Sequence, residues 1–498
     1  MNPQPITSES PRDLRRWVAL IVVCLGQLMI VLDTTIVNVA LPSIQRDLHL
    51  DGASLTWVVS AYLVSFGSFL LLAGRIGDLV GRKKVFLSGV VLFVATSALC
   101  GLAWNSTALI VARFLQGLGG ALASAVIVAL IVTGFPDPAE RPRAMSVFTF
   151  VIAGGASLGL VTGGLLTQAI NWHWIFFINL PIGVLTLVLG WVLIEENHGI
   201  GVRQGVDVLG SILITSAMML AVYAIVQSAD HGWWSAPTAG LGGAAALLLA
   251  AFLALEARLR NPIMPLRIFR LRSLAGSSAA RAMLAPGMFS SFFFGTQYLQ
   301  HILSYGAVGT GLAFLPQTFA VGVLSVGPTA ALMRRIGARP TLYLGLAAMV
   351  AGLAVLAYAA AQGATYFPTF FLSFALLGLG AGTAFVPLIA IAMSDVPPQD
   401  AGLASAITNV SLQMSAAIGL AALGTVSANQ ARTLAAHGSP LREALAGGYQ
   451  LALVVATVCV AASALIAIVA LRPARPAGGR GAPAGPDLDE EDVQAPAA

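Results

Sequence analysis

Stretches of about twenty apolar residues, the length a helix needs to cross a bilayer core of about 30 Å, recur from Trp17 to Leu471. Within lipid, every backbone N–H and C=O must be paired inside the structure, so such runs fold as helices or as a closed barrel. Barrel strands read as runs of about ten residues alternating in polarity. The runs in this chain are longer and continuous, which predicts an all-α integral membrane protein. Charged residues make up only 9% of the sequence and hydrophobic ones 57%, whereas soluble domains carry about 25% charged residues. Fourteen spans are expected, at 17–41, 54–73, 85–103, 107–133, 144–168, 174–194, 206–227, 237–255, 274–300, 308–332, 341–361, 367–393, 402–427 and 449–471.

The first run follows Arg12, Arg15 and Arg16 but is too long for a signal-peptide core, so it reads as a retained helix. With both termini on the cytoplasmic side, 21 of the 26 Lys and Arg fall on the inner face, as the positive-inside rule requires. That asymmetry accounts for the net charge of +5 without nucleic acid. Cys24, Cys100 and Cys459 all lie in apolar spans with no CxxC, and read as small packing residues. The tail 472–498 is rich in Pro, Gly and Ala, ends acidic, and reads as disordered.

Asp33 stands out within the first span. An acid at that depth costs roughly 2.5–3.5 kcal/mol on insertion scales and marks a functional site by default. At about 1.5 Å per residue, Asp33 lies about 24 Å from the inner end of its span and Arg113 about 9 Å from the outer end of the fourth. Their depths nearly coincide, and the two are expected to pair. The pair reads either as a proton-coupling centre or as a static ion pair that fixes helix packing. Arg113, Gln116, Gly117 and Gly120 share one helix face. On the first helix Gln27, Thr34 and Asn38 form a polar stripe, about 100° away from Asp33. Asp33 is expected to face the fourth helix and the stripe to border a substrate path.

Other features are weaker. Gly74, Gly77 and Gly81, with Asp78 and Arg82, suit a tight cytoplasmic loop in which Asp78 pairs with Arg82 or caps a helix of the other half. Gly155, Gly159 and Gly163 make a small-residue ridge, for packing or for a hinge. Ser405, Asn409 and Gln413 form a second mildly polar stripe, for a cavity wall or for interhelical hydrogen bonds. Arg281 is expected to snorkel to the inner interface rather than to contact substrate, and Phe289 with Phe292 to Phe294 to face lipid rather than a lipophilic cation. Gly81 to Gly89 lines up with Gly337 to Gly345, and Gly117-Leu118-Gly119 with Gly378-Leu379-Gly380, at similar offsets. This suggests two parallel halves.

Three stretches carry a family resemblance: Leu32 to Pro42 (LDTTIVNVALP), Gly74 to Lys84 (GRIGDLVGRKK) and Arg113 to Gly117 (RFLQG). They resemble the signature motifs of the major facilitator superfamily. The first motif, the count of fourteen and Trp172 to Gly183 are similar to its drug/proton antiporter branch. The resemblance implies two six-helix bundles, 17–194 and 273–471, around a cavity that opens alternately to each side. A linker at 195–272 would carry two inserted helices, flanked overall by tails 1–16 and 472–498. It also implies that Arg113 and Gln116 belong to the proton-handling motif and that Asp78 serves the cytoplasmic gate. Gly159-Leu160 departs from the Gly-Pro pair that antiporters of the family share, which leaves symport and uniport open beside antiport. His173 sits where relatives have Arg, and is expected at the outer interface between Trp172 and Trp174.

The expected function is export of small lipophilic molecules across the plasma membrane in exchange for protons, with the proton gradient as energy source, no cofactor and a monomer sufficient. Alternatives are a proton-linked or facilitated metabolite carrier, such as one for an amino acid or sugar, and a non-transporting membrane receptor. The sequence has no nucleotide-binding loop, HExxH cluster or Gly-x-Ser-x-Gly elbow, so an enzyme is not expected.

Overall fold

The structure, a computed structural model, describes residues 11–471 apart from 136, 138–139, 197–198, 200–207, 233, 260–261, 263–265 and 397–400. The acidic tail 472–498, the first ten residues and part of the expected linker therefore lie outside the described residues. Among the described residues the secondary structure is helical throughout, with no strand. The helices are α1 (Pro11–Asp47), α2 (Gly52–Val80), α3 (Arg82–Gly101), α4 (Ser106–Gly134), α5 (Arg141–Ala169), α6 (Trp174–Phe177), α7 (Asn179–Leu193), α8 (Val208–His231) and α9 (Ala236–Arg258). They continue with α10 (Arg272–Gln297), α11 (Ala307–Ala313), α12 (Leu315–Val326), α13 (Pro328–Ile336), α14 (Ala338–Ala361), α15 (Phe371–Met393), α16 (Ala401–Ala436) and α17 (Leu441–Ala470).

Each of the fourteen expected stretches is helical over its described residues, the sixth being α6 with α7 and the tenth α11 to α13. Among the described residues, ten helical segments are long and apolar enough to cross a membrane on their own, and the bent α2 makes eleven. α5 and α8 contribute shorter apolar stretches, Leu158–Ala169 and Ile212–Ser228. α10 falls short because buried serines, Arg281, Thr296 and Gln297 interrupt its apolar run. α1 begins before the expected boundary, since nothing between Pro11 and Trp17 breaks a helix, and it continues through Pro42.

Helix starts follow capping chemistry. Asp51 accepts from Ser54 N at 2.7 Å to open α2, and Asn105 accepts from Ala108 N at 2.8 Å to open α4. The Asn105 cap sets Arg113 about two turns inside α4.

α1 packs on α5 and α7, while α2, α3 and α4 pack on one another. In the second half α14 packs on α15 and α17, and α10 on α16 and α17. α8 and α9 pair with each other, α8 leaning on α2 and α16. The two groups meet where α2 crosses α16 and where α5 crosses α11 and α12.

The repeat seen in the sequence recurs as matching contacts. Gly81 and Gly337 both sit between helices with positive φ, 118° and 91°, which a glycine adopts without Cβ strain. A Cβ on Gly89 would lie 2.4 Å from Ala123 N, and one on Gly345 would lie 2.7 Å from Ala384 N. α3 on α4 and α14 on α15 are thus the same close crossing made twice. Gly117 against Tyr62 O and Gly378 against Gln317 O extend the equivalence to α2 and α12.

Candidate functional site

Asp33 is fully buried, and so is Arg113. The carboxylate accepts from Arg113 Nη1 at 2.5 Å through Oδ2, and from Gln116 Nε2 at 2.7 Å and Asn179 Nδ2 at 3.1 Å through Oδ1. Arg113 uses Nε on the Val58 carbonyl at 3.1 Å and donates from Nη1 to Gln116 Oε1 at 2.6 Å. Ser97 Oγ accepts from Gln116 and Asn179, and the Cys100 thiol lies 3.5 Å from Gln116 Oε1. The guanidinium carbon sits 4.4 Å from the centroid of the Tyr62 ring, within cation–π range.

Five helices build this centre: α1 supplies the acid, α4 the arginine and glutamine, α7 the asparagine, α3 the serine and thiol, and α2 a carbonyl and a ring. A buried ion pair is tolerable only when the remaining donors and acceptors are met. Here the opposite charges cancel, the guanidinium holding one carboxylate oxygen and two amides the other.

The polar stripe on α1 is more closed than expected for the wall of a path. Gln27 is 8% exposed and accepts from Ser124 on α4, Asn38 is 8% exposed and donates to its own helix at Thr34 O, and Thr34 donates to Val31 O. Asn409 and Gln413 are half-buried on α16, and Gln413 lies where a Cβ on Gly67 of α2 would meet it. The side chain of Ser405 lies outside the described residues.

In the loop between α2 and α3, Asp78 pairs with Arg82 at 3.1 Å, the first of its two expected partners. Gly77 is pressed on Val126 of α4, whereas a Cβ on Gly74 would meet nothing within 4 Å. Gly155, Gly159 and Gly163 all face α1, against Leu28 and Val31, Thr35 and Leu32, and Ile36 respectively.

Two expectations are overturned. Arg281 does not snorkel: it is 6% exposed and lies over the Phe385 ring of α15. Phe293 and Phe294 are core residues and Phe292 packs on Phe314, because α10 is enclosed by α15, α16 and α17. Trp172 is buried, donating to Asp47 while stacked on His173, and Trp174 is exposed. His173 Nδ1 meets the Gly101 carbonyl at 2.8 Å.

Where the C-terminal ends of α1 and α5 meet the segment after α10, a cavity of about 490 Å³ lies between the two groups, lined by Arg46, Gln168, Gln300, His301 and Tyr305 among others. Two bonds bridge the groups there, Gln300 Nε2 to Val39 O at 2.9 Å and Val308 N to Gln168 Oε1 at 3.2 Å.

The family model described as Major Facilitator Superfamily matches residues 23–420. This chain belongs to that superfamily. It is 37% identical over 449 residues to the puromycin resistance protein of Streptomyces alboniger, with 89% of each chain covered. It is 33% identical to the tetracenomycin C resistance and export protein of Streptomyces glaucescens, covering 84% of this chain and 77% of that one. Among solved structures, an auto-inhibited peptide transporter of the POT family superposes with a TM-score of 0.65 at 18% identity, covering 91% of this chain and 97% of that one. A superfamily member with this many apolar helices is a multi-pass membrane transporter of small molecules, and the buried centre described above lies in its first half.

The sequence named Asp33, Arg113 and Gln116 but missed Asn179, Ser97 and Tyr62. Asn179 carried a readable signal, since an amide in an apolar run asks for a partner as Asp33 does. Ser97 carried none, because serine hydroxyls are common in membrane helices and can bond their own backbone, and Tyr62 carried none, because an aromatic ring in an apolar run asks for no charged partner.

Proposed function

We propose that this chain is a proton-driven exporter of small drug-like molecules, working by alternating access in the plasma membrane with both termini cytoplasmic. The proposal includes fourteen crossings, with bundles at 17–194 and 273–471 and the inserted pair within 195–272. The observation that carries it is the buried Asp33–Arg113 centre. Protonating Asp33 would leave the guanidinium without its counter-ion, and breaking a buried pair costs about 3–5 kcal/mol. That energy is of the size needed to move a two-state equilibrium decisively, about 5.5 kcal/mol for a shift from 1:99 to 99:1. The centre is therefore suited to report proton occupancy to helix packing. Gln116 and Asn179 would hold the carboxylate in place in both protonation states.

The names of the relatives support export of antibiotic-like cargo. The bonds between the two groups at the outer end, beside an Asp78 satisfied within its own loop, support a form closed outside and disengaged inside. We assign Asp78 and Arg82, with Gly74 and Gly81, to the cytoplasmic gate. Gln27, Thr34, Asn38, Asn409 and Gln413 are kept as path residues that open only when the helices move.

The test uses inside-out membrane vesicles and a fluorescent lipophilic dye. Native protein is expected to accumulate dye when a proton gradient is imposed and to release it on adding an uncoupler. Asp33→Asn is expected to lose gradient-driven accumulation at least tenfold. Undiminished coupling in that variant would refute the mechanism.

A further inference from the structure

α10 turns its polar residues inward. Ser277, Ser278 and Arg281 are 1%, 5% and 6% exposed, and at positions i−4, i−3 and i they share one face of the helix. Ser277 Oγ, Ser278 Oγ and Arg281 Nε are enclosed without a hydrogen-bond partner among the described residues. The guanidinium has neither an ion pair nor a hydrogen bond among those residues, and its recorded neighbour is the Phe385 ring, 5.7 Å from guanidinium carbon to centroid. At about 1.5 Å per residue, Arg281 stands about 13 Å from the inner end of α10. Arg113, the other arginine within a span, has a carboxylate of its own; Arg281 does not.

A guanidinium does not shed its charge in proteins, and an isolated buried charge is costly unless an anion meets it. The fork of N–H donors matches a planar oxyanion bidentately, and the two hydroxyls one turn away can donate to the same group. Phe385 offers an apolar face beside it. We propose that Arg281, Ser277 and Ser278 form a binding site for the oxyanion of an amphipathic cargo, a carboxylate carried on an aromatic or alicyclic frame. A lipid phosphate would present the same chemistry. The cluster faces α15 inside the second group, however, and a lipid-facing arginine would be exposed.

This inference rests on the export reading but is tested by binding, which needs no gradient. Purified full-length protein in an uncharged detergent is titrated with 1-naphthoate and with neutral 1-naphthamide, and affinity is read from ligand-induced thermal stabilisation. Native protein is expected to bind naphthoate at least tenfold tighter than the amide. Arg281→Gln is expected to erase that preference, Arg281→Lys to retain part of it, and Ser277→Ala with Ser278→Ala to reduce it several-fold. Should Arg281→Gln fail to purify as a monodisperse species, the lysine and serine variants still read the site. Equal affinities for the two ligands in native protein, or an unchanged preference in these variants, overturns the proposal. Phosphatidylglycerol added to the same micelles separates the sources: stabilisation by it through Arg281, with none by naphthoate, overturns the cargo assignment. Asp33→Asn is expected to keep the naphthoate preference. A protein that binds through Arg281 yet exports nothing would refute the export reading alone.

Discussion

Asp33 takes its hydrogen bonds from three side chains on two helices, and each can be removed separately. Asn179 is the mildest, since it donates at 3.1 Å while Gln116 still holds the same oxygen. A hydrogen bond to a charged group contributes about 1.5–3 kcal/mol, so Asn179→Ala is expected to lower gradient-driven export by roughly tenfold or more, as initial rates in vesicles would record. Arg113 is different. Arg113→Leu leaves a buried carboxylate unpaired and is expected to destabilise the protein by about 3–5 kcal/mol. Adding Asp33→Asn removes the stranded charge, so the double variant should unfold at a higher temperature than Arg113→Leu alone. A double variant no more stable than the single one would show that the two groups do not act as a pair.

At the scale of elements, α5 packs on α1 beside Asp33 and also meets the opposite group at α11 and α12. Its ridge of Gly155, Gly159 and Gly163 lies on α1 around Leu32, Thr35 and Ile36, the immediate neighbours of Asp33. One residue on, Gly164 faces α11, where a Cβ would come 2.5 Å from the Ala307 carbonyl. Backbone blocks the added atom, so Gly164→Ala must push α5 and α11 apart. Overpacking of this kind costs about 1–3 kcal/mol, and a corresponding fall in the thermal midpoint of purified protein is expected. Gly74→Ala is the matched control, with open space at its Cβ, and is expected to leave the midpoint unchanged.

For the whole molecule, the contacts between halves gather at α2 on α16 and at α5 on α11 and α12, with Gln300–Val39 and Val308–Gln168 bridging the halves at one end, the outer one in the proposed orientation. If cargo leaves outward, those bridges must part in each cycle. Cysteines placed at Gln168 and Val308, joined by a short reducible thiol cross-linker, are expected to stop dye export, and reduction to restore it. The single-cysteine proteins serve as controls beside Cys24 and Cys100, which are buried. Export that continues at the native rate in fully cross-linked protein would argue against outward opening at this end.

How far the sequence reached depends on what hydropathy measures. It located the helices, the matching depths of Asp33 and Arg113, and the paired glycines at 89 and 345, because each follows from span length, rise per residue or an internal repeat. Which faces turn to lipid and which to protein was decided by the tertiary structure. Lipid tails and a protein interior are about equally apolar, so the apolar pattern of one sequence does not separate them. Phe293 and Phe294 are core residues for that reason, and Arg281 is enclosed where snorkelling was expected. Asn179 and Ser97 reach Asp33 only because α7 and α3 converge on α1 and α4. Asp33 asked for partners through its charge alone, while their number and identity came from the packing of five helices.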